Sequence, residues 1–183
     1  ARVYTLRRVD VLRSEIDIDF VLHPTADHFA PGADFAATAC PGQVLGIFAP
    51  GGNELPHAQS MVLLGDETAM PAMARIVEAI PPDSSAHVFV ETDQPGENYD
   101  FVSRDGIEVT YLHRYGRPAG STALLSVKLA NICGRPSVSA NEDLRFLWAG
   151  CEFEDYQRIR RLAREDLRLP RERYSVVAYW RKR

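Results

Sequence analysis

The sequence predicts an α/β protein, a nucleotide-binding-type domain built on a five-stranded parallel sheet with a shorter β segment ahead of it. Three observations carry this expectation. Five apolar segments, at residues 61–64, 87–91, 107–112, 144–149 and 174–180, lack strict polar alternation, as strands buried on both faces do. Helical periodicity fills most of the gaps between them. Before residue 60 the rhythm differs. There Ile16, Ile18, Phe20 and Leu22 alternate with Asp17, Asp19, Val21 and His23 at a period of two, the mark of a one-faced strand.

The N-terminal region reads as β. Residues 2–9 form a strand, followed by a polar turn near Arg13 and Ser14. Residues 24–42 are rich in Pro, Gly, Ala and Asp and read as a loop holding a short helix. Residues 44–48 are a further strand, stopped by Pro50-Gly51-Gly52, and residues 51–59 look like a linker. One domain is therefore expected over 1–55 and a second over 60–183. The chain opens with Ala1, inside a strand and without Met; we read it as a piece of a longer protein rather than a processed product.

In the second region Met70, Met73, Val77 and Ile80 recur at helical spacing. Thr68 would cap that helix, Pro71 is tolerated in its first turn, and Pro81-Pro82 ends it. Ala123, Val127 and Ala130 predict a helix that ends near Gly134. Ile159, Leu162, Ala163 and Leu167 share one face of another. In an open parallel sheet the ligand lies at the carboxyl ends of the strands. Those ends carry Gly65-Asp66-Glu67-Thr68, His113-Arg114 and Gly150-Cys151-Glu152.

Composition excludes several classes. The 183 residues are 45% hydrophobic and 25% charged, as in ordinary globular proteins. No apolar run approaches the ~18 residues of a bilayer-spanning helix, so no membrane partner is expected. No leader with a charged start and an apolar middle is visible. Net charge is −4, yet from Arg158 onward ten Lys or Arg face three Asp or Glu. That excess is either a local field that attracts an anionic ligand or a solvated helix face. Without aromatic residues interleaved in a basic patch it does not point to nucleic acid. Cys40, Cys133 and Cys151 are odd in number and far apart, which argues against a disulfide framework, a zinc site or a cysteine-held iron–sulfur cluster. Reduced thiols in a cytoplasmic protein fit better. Any redox chemistry must then come from a bound cofactor.

There is no G-x-G-x-x-G and no phosphate-binding loop of the G-x-x-x-x-G-K type. Gly65 could let a ligand approach the backbone, with the amides of the following helix turned to an anion; a plain strand-to-helix turn explains the same residues. Arg2 and Tyr4 face the same way in a strand. Such a pair can clamp a phosphate while the ring covers a flat heterocycle, and it can equally be an edge strand with solvated arginines.

The segments R-x-Y-T-x-R (2–7), D-F-V-L-H (19–23), G-D-E-T-A-x-P-A (65–72), W-A-G (148–150) and Y-W-R (179–181) occur in this order. Together they resemble the siderophore-interacting protein family, FAD-containing ferric-siderophore reductases built like ferredoxin–NADP reductases. The matched blocks span nearly the whole chain. The resemblance implies that residues 1–55 are the C-terminal part of an antiparallel flavin-binding β-barrel. It also implies an oxidoreductase with FAD as cofactor and NADPH, NADH or ferredoxin as electron donor. The partner would be a ferric siderophore.

By position, Arg2, Tyr4, Thr5 and Arg7 match the family's flavin motif. Tyr4 would stack on the isoalloxazine, Thr5 would lie near its reactive edge and Arg2 would hold the pyrophosphate. His23 matches the family's histidine at that strand end, or is a structural histidine. Ala30-Pro31-Gly32-Ala33 replaces the family's Gly-Pro-Ala turn against the FAD phosphates, with Phe35 where Trp is usual. Gly65, Asp66, Glu67 and Thr68 match its nicotinamide side. Gly150-Cys151-Glu152 replaces Gly-Glu-Ala with one residue apparently inserted, and Cys151 is either near the hydride or a small strand-end residue. Trp180 or Tyr179 would shield the flavin, or be a core aromatic. Arg181, with Lys182 beside it, would hold the anionic siderophore. No protein acid, base or nucleophile is required. Two other functions fit the same residues: a general NAD(P)H-dependent flavin or ferredoxin-type reductase, and a non-catalytic siderophore-binding protein.

Overall fold

A computed structural model describes residues 3–22, 31–48, 51, 58–133 and 146–182. The chain forms two compact units, residues 1–55 and 56–183.

The second unit holds the five-stranded sheet. Its strands are β3 (Ser60–Asp66), β4 (Ser85–Thr92), β5 (Ile107–His113), β6 (Phe146–Glu152) and β7 (Tyr174–Trp180), in the order β5-β4-β3-β6-β7 and all parallel. The three central strands are buried almost throughout, whereas edge strand β5 alternates. That is why the central strands read as continuous apolar runs. Helix α2 (Met70–Ala79) covers one face, packing Met70, Met73, Ile76 and Val77 against Met61, Leu63, Val88 and Trp148. Helices α3 (Leu124–Cys133) and α4 (Phe153–Arg161) cover the other, with Leu125, Leu129 and Ile159 against Leu64, Leu147 and Ala149. Each fully buried Leu or Ile stabilises the sandwich by about 1.5–3 kcal/mol.

Helix α2 starts differently from expectation. Thr68 does not cap it: Asp66 caps a 3₁₀ turn, Glu67–Ala69, by accepting from the Thr68 N–H, and α2 follows that turn from Ala69 without a side-chain cap of its own. The helix stops at Ile80, which turns extended before Pro81 because a residue preceding proline is pushed out of the helical region. Strand β6 runs through Gly150 to Glu152 rather than ending at residue 149. Helix α4 leads into a π turn over Leu162–Asp166, so the predicted face from Ile159 to Leu167 is shared between two kinds of helix.

The first unit is lighter. Strands β1 (Arg8–Asp10) and β2 (Glu15–Asp17) form a two-stranded antiparallel ladder, and α1 (Pro31–Thr38) is the expected short helix. Residues 3–6 and 44–48, expected as strands, join no ladder among the described residues. Backbone groups form a strand only against a neighbouring strand. Here Val3, Val44 and Phe48 stand exposed. The linker residues 52–57, the helix end at Gly134 and the strand start at Leu144 lie outside the described residues.

Candidate functional site

The chain leaves β3 to build one half of the sheet and returns at β6 to build the other. The crevice between the carboxyl ends of these two strands is the usual ligand position in such sheets. Asp66 and Glu152 are the last residues of β3 and β6. Asp66 is buried and accepts four hydrogen bonds. Its Oδ1 takes the Thr68 N–H at 3.0 Å and the Thr68 hydroxyl at 2.5 Å. Its Oδ2 takes the Trp180 indole N–H at 2.8 Å and the Glu152 N–H at 3.1 Å. Burial pushes the Asp66 carboxyl up to about 6, against the opposing pull of the Thr68 and Trp180 hydrogen bonds. Glu152 accepts the Glu154 N–H on Oε2, which caps α4, and the Lys182 N–H on Oε1 at 3.2 Å.

A third buried carboxylate stands next to last in β4. Glu91 Oε1 accepts from the Thr122 hydroxyl at 2.9 Å and lies 3.7 Å from Arg114 Nη1. Burial pushes Glu91 up to about 7, while the Thr122 hydrogen bond and the Arg114 charge act against it. Arg114, 5% exposed, donates to Glu67 Oε1 at 2.5 Å through Nη2. Sequence reasoning picked out Arg114 only as a strand end and missed Glu91 and Thr122.

The two central glycines have a structural task. Gly65 and Gly150 are register partners. A Cβ on Gly65 would come within 2.7 Å of Ala69 Cβ and 2.8 Å of Met73 Cε; one on Gly150 would meet Trp148 and Tyr179. The space beside Gly65 is thus filled by α2, and the Thr68 amide is held by Asp66. Of the amides at this turn, that of Thr68 is taken by the chain's own carboxylate.

The model for the siderophore-interacting protein matches residues 58–183, and that for the siderophore-interacting FAD-binding domain matches residues 1–54. The chain belongs to the siderophore-interacting protein family. It is 28% identical over 183 residues to a ferric vibriobactin reductase from Vibrio cholerae, covering 99% of this chain and 64% of that protein. A solved siderophore utilization protein from T. fusca superposes with a TM-score of 0.85 at 38% identity, over 99% of this chain and 66% of that one. The siderophore-interacting protein from Aeromonas hydrophila gives 0.80 at 29%, over 99% and 73%. The chain thus spans just under two thirds of the first two relatives. The expected fold, a five-stranded parallel sheet behind the end of a flavin-binding domain, is that of the family.

In the first unit the Tyr4 ring lies 4.7 Å from Phe20, which lies 6.3 Å from Phe35. Tyr4 remains 41% exposed. A methyl group on Gly32 would collide with the Tyr4 hydroxyl, so glycine is what lets the ring lie against the first turn of α1. An exposed ring beside Pro31, Gly32 and Ala33 at a helix N-terminus suits a flat heterocycle joined to phosphate; these residues fit FAD. Thr5 and Arg7 are half-buried, and the Arg7 backbone donates to Asp17 at 2.8 Å. Arg2, His23 and Ala30 lie outside the described residues.

In the second unit Cys151 is 1% exposed and packs with Leu64, Leu147 and Ile159 on the α3–α4 side; burial pushes its thiol far above the ordinary range. The register irregularity sits between Cys151 and Glu152, and the additional residue is on β7: Cys151 pairs with Ala178 and Glu152 with Trp180. This bulge turns Tyr179 toward Trp148, 6.1 Å away and edge-on, while the Trp180 indole reaches Asp66. The Arg181 guanidinium lies over the Phe153 ring at 4.4 Å and is exposed. The Lys182 ammonium is engaged internally, with Glu154 Oε2 at 2.8 Å and the Gly120 carbonyl at 3.0 Å.

Proposed function

We propose that the full-length protein is a cytoplasmic ferric-siderophore reductase that uses FAD and takes electrons from NADH, NADPH or reduced ferredoxin. The observation that carries the reading is one chain matched over 1–54 by a siderophore-interacting FAD-binding domain and over 58–183 by the siderophore-interacting protein. The name of the Vibrio cholerae relative, a ferric vibriobactin reductase, supports it.

Tyr4 would offer its exposed face to the isoalloxazine, with Thr5 near the reactive edge. The amides of Gly32 and Ala33 would face the phosphates, together with Arg2 and Arg7. FAD supplies the chemistry that accepts a hydride or single electrons and hands electrons on one at a time, so one NADH or NADPH, or two reduced ferredoxins, would serve two Fe³⁺ ions. Siderophores bind Fe²⁺ far more weakly, and reduction would release the iron.

The strand ends at Gly65–Thr68 and Gly150–Glu152 would face the donor. Because Asp66 holds the Thr68 amide, a pyrophosphate at this turn would be met by other backbone amides. Arg181 would attract the anionic chelate, and the committed ammonium of Lys182 makes Arg181 the principal cation of the pair. Its charge acts through the field it sets up at the site.

An absorbance spectrum of the full-length protein tests the cofactor. A yellow protein is expected, and a colourless one that takes up no added FAD sinks the reading. Arg181→Ala should raise KM for an anionic ferric tris-catecholate more than for a neutral ferric hydroxamate, and the difference should shrink at ~1 M salt, where screening acts within about 3 Å. Equal changes on both substrates would place siderophore binding elsewhere.

A further inference from the structure

The C-terminal strand end is fastened at two points, one on each side of Arg181. The Trp180 indole donates to Asp66 Oδ2 at 2.8 Å, and the Lys182 backbone N–H donates to Glu152 Oε1 at 3.2 Å. The two carboxylates are themselves joined, since the Glu152 N–H donates to Asp66 Oδ2 at 3.1 Å. Both are buried, at 5% and 2% exposure, at the ends of the adjacent strands β3 and β6. Gly120, in the left-handed region at φ +71°, lies against the pair: a Cβ there would come within 2.6 Å of Glu152 and 3.2 Å of Trp180. Between the two fastenings the Arg181 guanidinium projects, supported from below by the Phe153 ring.

An exposed arginine has many rotamers, and ordering it costs conformational entropy. Side chains that bind charge well are held by packing and hydrogen bonds from behind. Here the support comes from carboxylates whose partners lie far away in sequence, 114 residues apart for Asp66 and Trp180. A strand end that needed only to terminate would fray at the sheet edge, yet this one is anchored to the ends of both β3 and β6.

We propose that Asp66 and Glu152 are positioning residues of the substrate site, fixing the backbone on both sides of Arg181 so that its guanidinium is presented to an anionic ferric complex. The inference rests on the reductase reading. Asp66 acts through the Trp180 indole and Glu152 through the Lys182 amide. Neither carboxylate touches the chelate.

The test uses full-length, FAD-loaded protein and a ferric tris-catecholate. Asp66→Asn leaves one acceptor oxygen for four donors, and Trp180→Phe removes the indole N–H and one of the two fused rings while keeping an aromatic side chain. Each should raise KM about threefold to tenfold, the loss of one buried hydrogen bond expressed as affinity. KM is read at saturating donor, and binding of the ferric complex to the oxidised protein, titrated with no donor present, should weaken by the same factor. In an Arg181→Ala background both substitutions should become silent on KM, because their effect passes through Arg181; a general loss of fold would persist there. Glu152→Gln keeps the acceptor for Lys182 and should raise KM less than Glu152→Ala. Trp180→Phe, the milder change, keeps the test decisive if Asp66→Asn fails to fold. Wild-type protein that neither binds nor reduces the ferric complex overturns the reductase reading. Wild-type protein that does both, with KM unmoved in the variants or still raised without Arg181, overturns the positioning role alone.

Discussion

The two units of this chain treat their apolar residues in opposite ways. Every hydrophobic side chain buried in the described structure belongs to residues 56–183, and none of the described residues from 3 to 48 is buried. Leu12 and Val44 are 99% and 95% exposed, whereas Leu63, Leu64 and Met73 are at 0%. Apolar residues make a core only where a second layer faces them. In the second unit α2 lies on one face of the sheet and α3 with α4 on the other. In the first, a two-stranded ladder and a single short helix are all that the described residues supply, and two strands alone are marginal in water.

That contrast can be broken most directly by truncating one side chain in each unit. Leu64→Ala should destabilise the second unit by about 2–5 kcal/mol, read as a lower denaturant midpoint. Val44→Ala in this same chain should change stability by no more than about 0.5 kcal/mol. Comparable losses would mean that residues 44–48 are packed after all.

A smaller effect is expected where the switch crevice meets α2. Gly65→Ala places a methyl against Ala69 and Met73, and overpacking of this kind typically costs ~1–3 kcal/mol. If Gly65→Ala is neutral in a thermal melt, Met73 has given way, and the glycine is better explained by ligand approach than by helix packing.

Much of the second unit was legible because its information is local. The segments 61–64 and 87–91 announce β3 and β4 by near-continuous burial, 107–112 announces the half-buried edge strand β5, and the run from Met70 to Ile80 announces α2 by its period. What sequence reasoning misplaced is non-local. Gly150 reads as a stop, yet it is the flat position over which Trp148 and Tyr179 meet. Thr68 reads as a cap, but Asp66 caps because the same carboxylate also holds Trp180 and Glu152 from two other strands. Glu91 was invisible as a site residue, since its partners Thr122 and Arg114 arrive from a loop and a neighbouring strand end. No spacing rule reports such meetings. In the first unit only Glu15–Asp17 of the period-two region pairs as a strand, because alternation reports a pattern and not whether a neighbouring strand or a covering layer is there to meet it.

The subtlest contrast is in charge. In the first unit the Arg8 guanidinium, 2.6 Å from Asp17, holds that exposed carboxyl below its ordinary value. In the second, burial holds Asp66 and Glu91 above theirs, at about 6 and about 7. A carboxyl raised in the fold keeps its proton longer than in the unfolded chain, so its contribution is fully present below the unfolded value and is lost as pH rises through the folded one. Stability of the second unit should therefore fall as pH rises from about 4.5 to 7, and Glu91→Gln should flatten that slope. Midpoints measured across this window decide it; an unchanged slope would mean that Glu91 is ionised throughout.

Iron reduction itself is the most direct measurement of the central claim. Full-length protein loaded with FAD is mixed with a ferric tris-catecholate, an Fe²⁺-specific chelator and, in separate runs, NADH, NADPH or reduced ferredoxin. With at least one donor, Fe²⁺ should accumulate at a rate proportional to protein, and Arg181→Ala should slow it at low substrate concentration while leaving the saturated rate intact. A flavin-loaded protein that binds the ferric complex but yields no Fe²⁺ above the protein-free rate with any of the three donors would contradict the account and leave a siderophore-binding protein in place of a reductase.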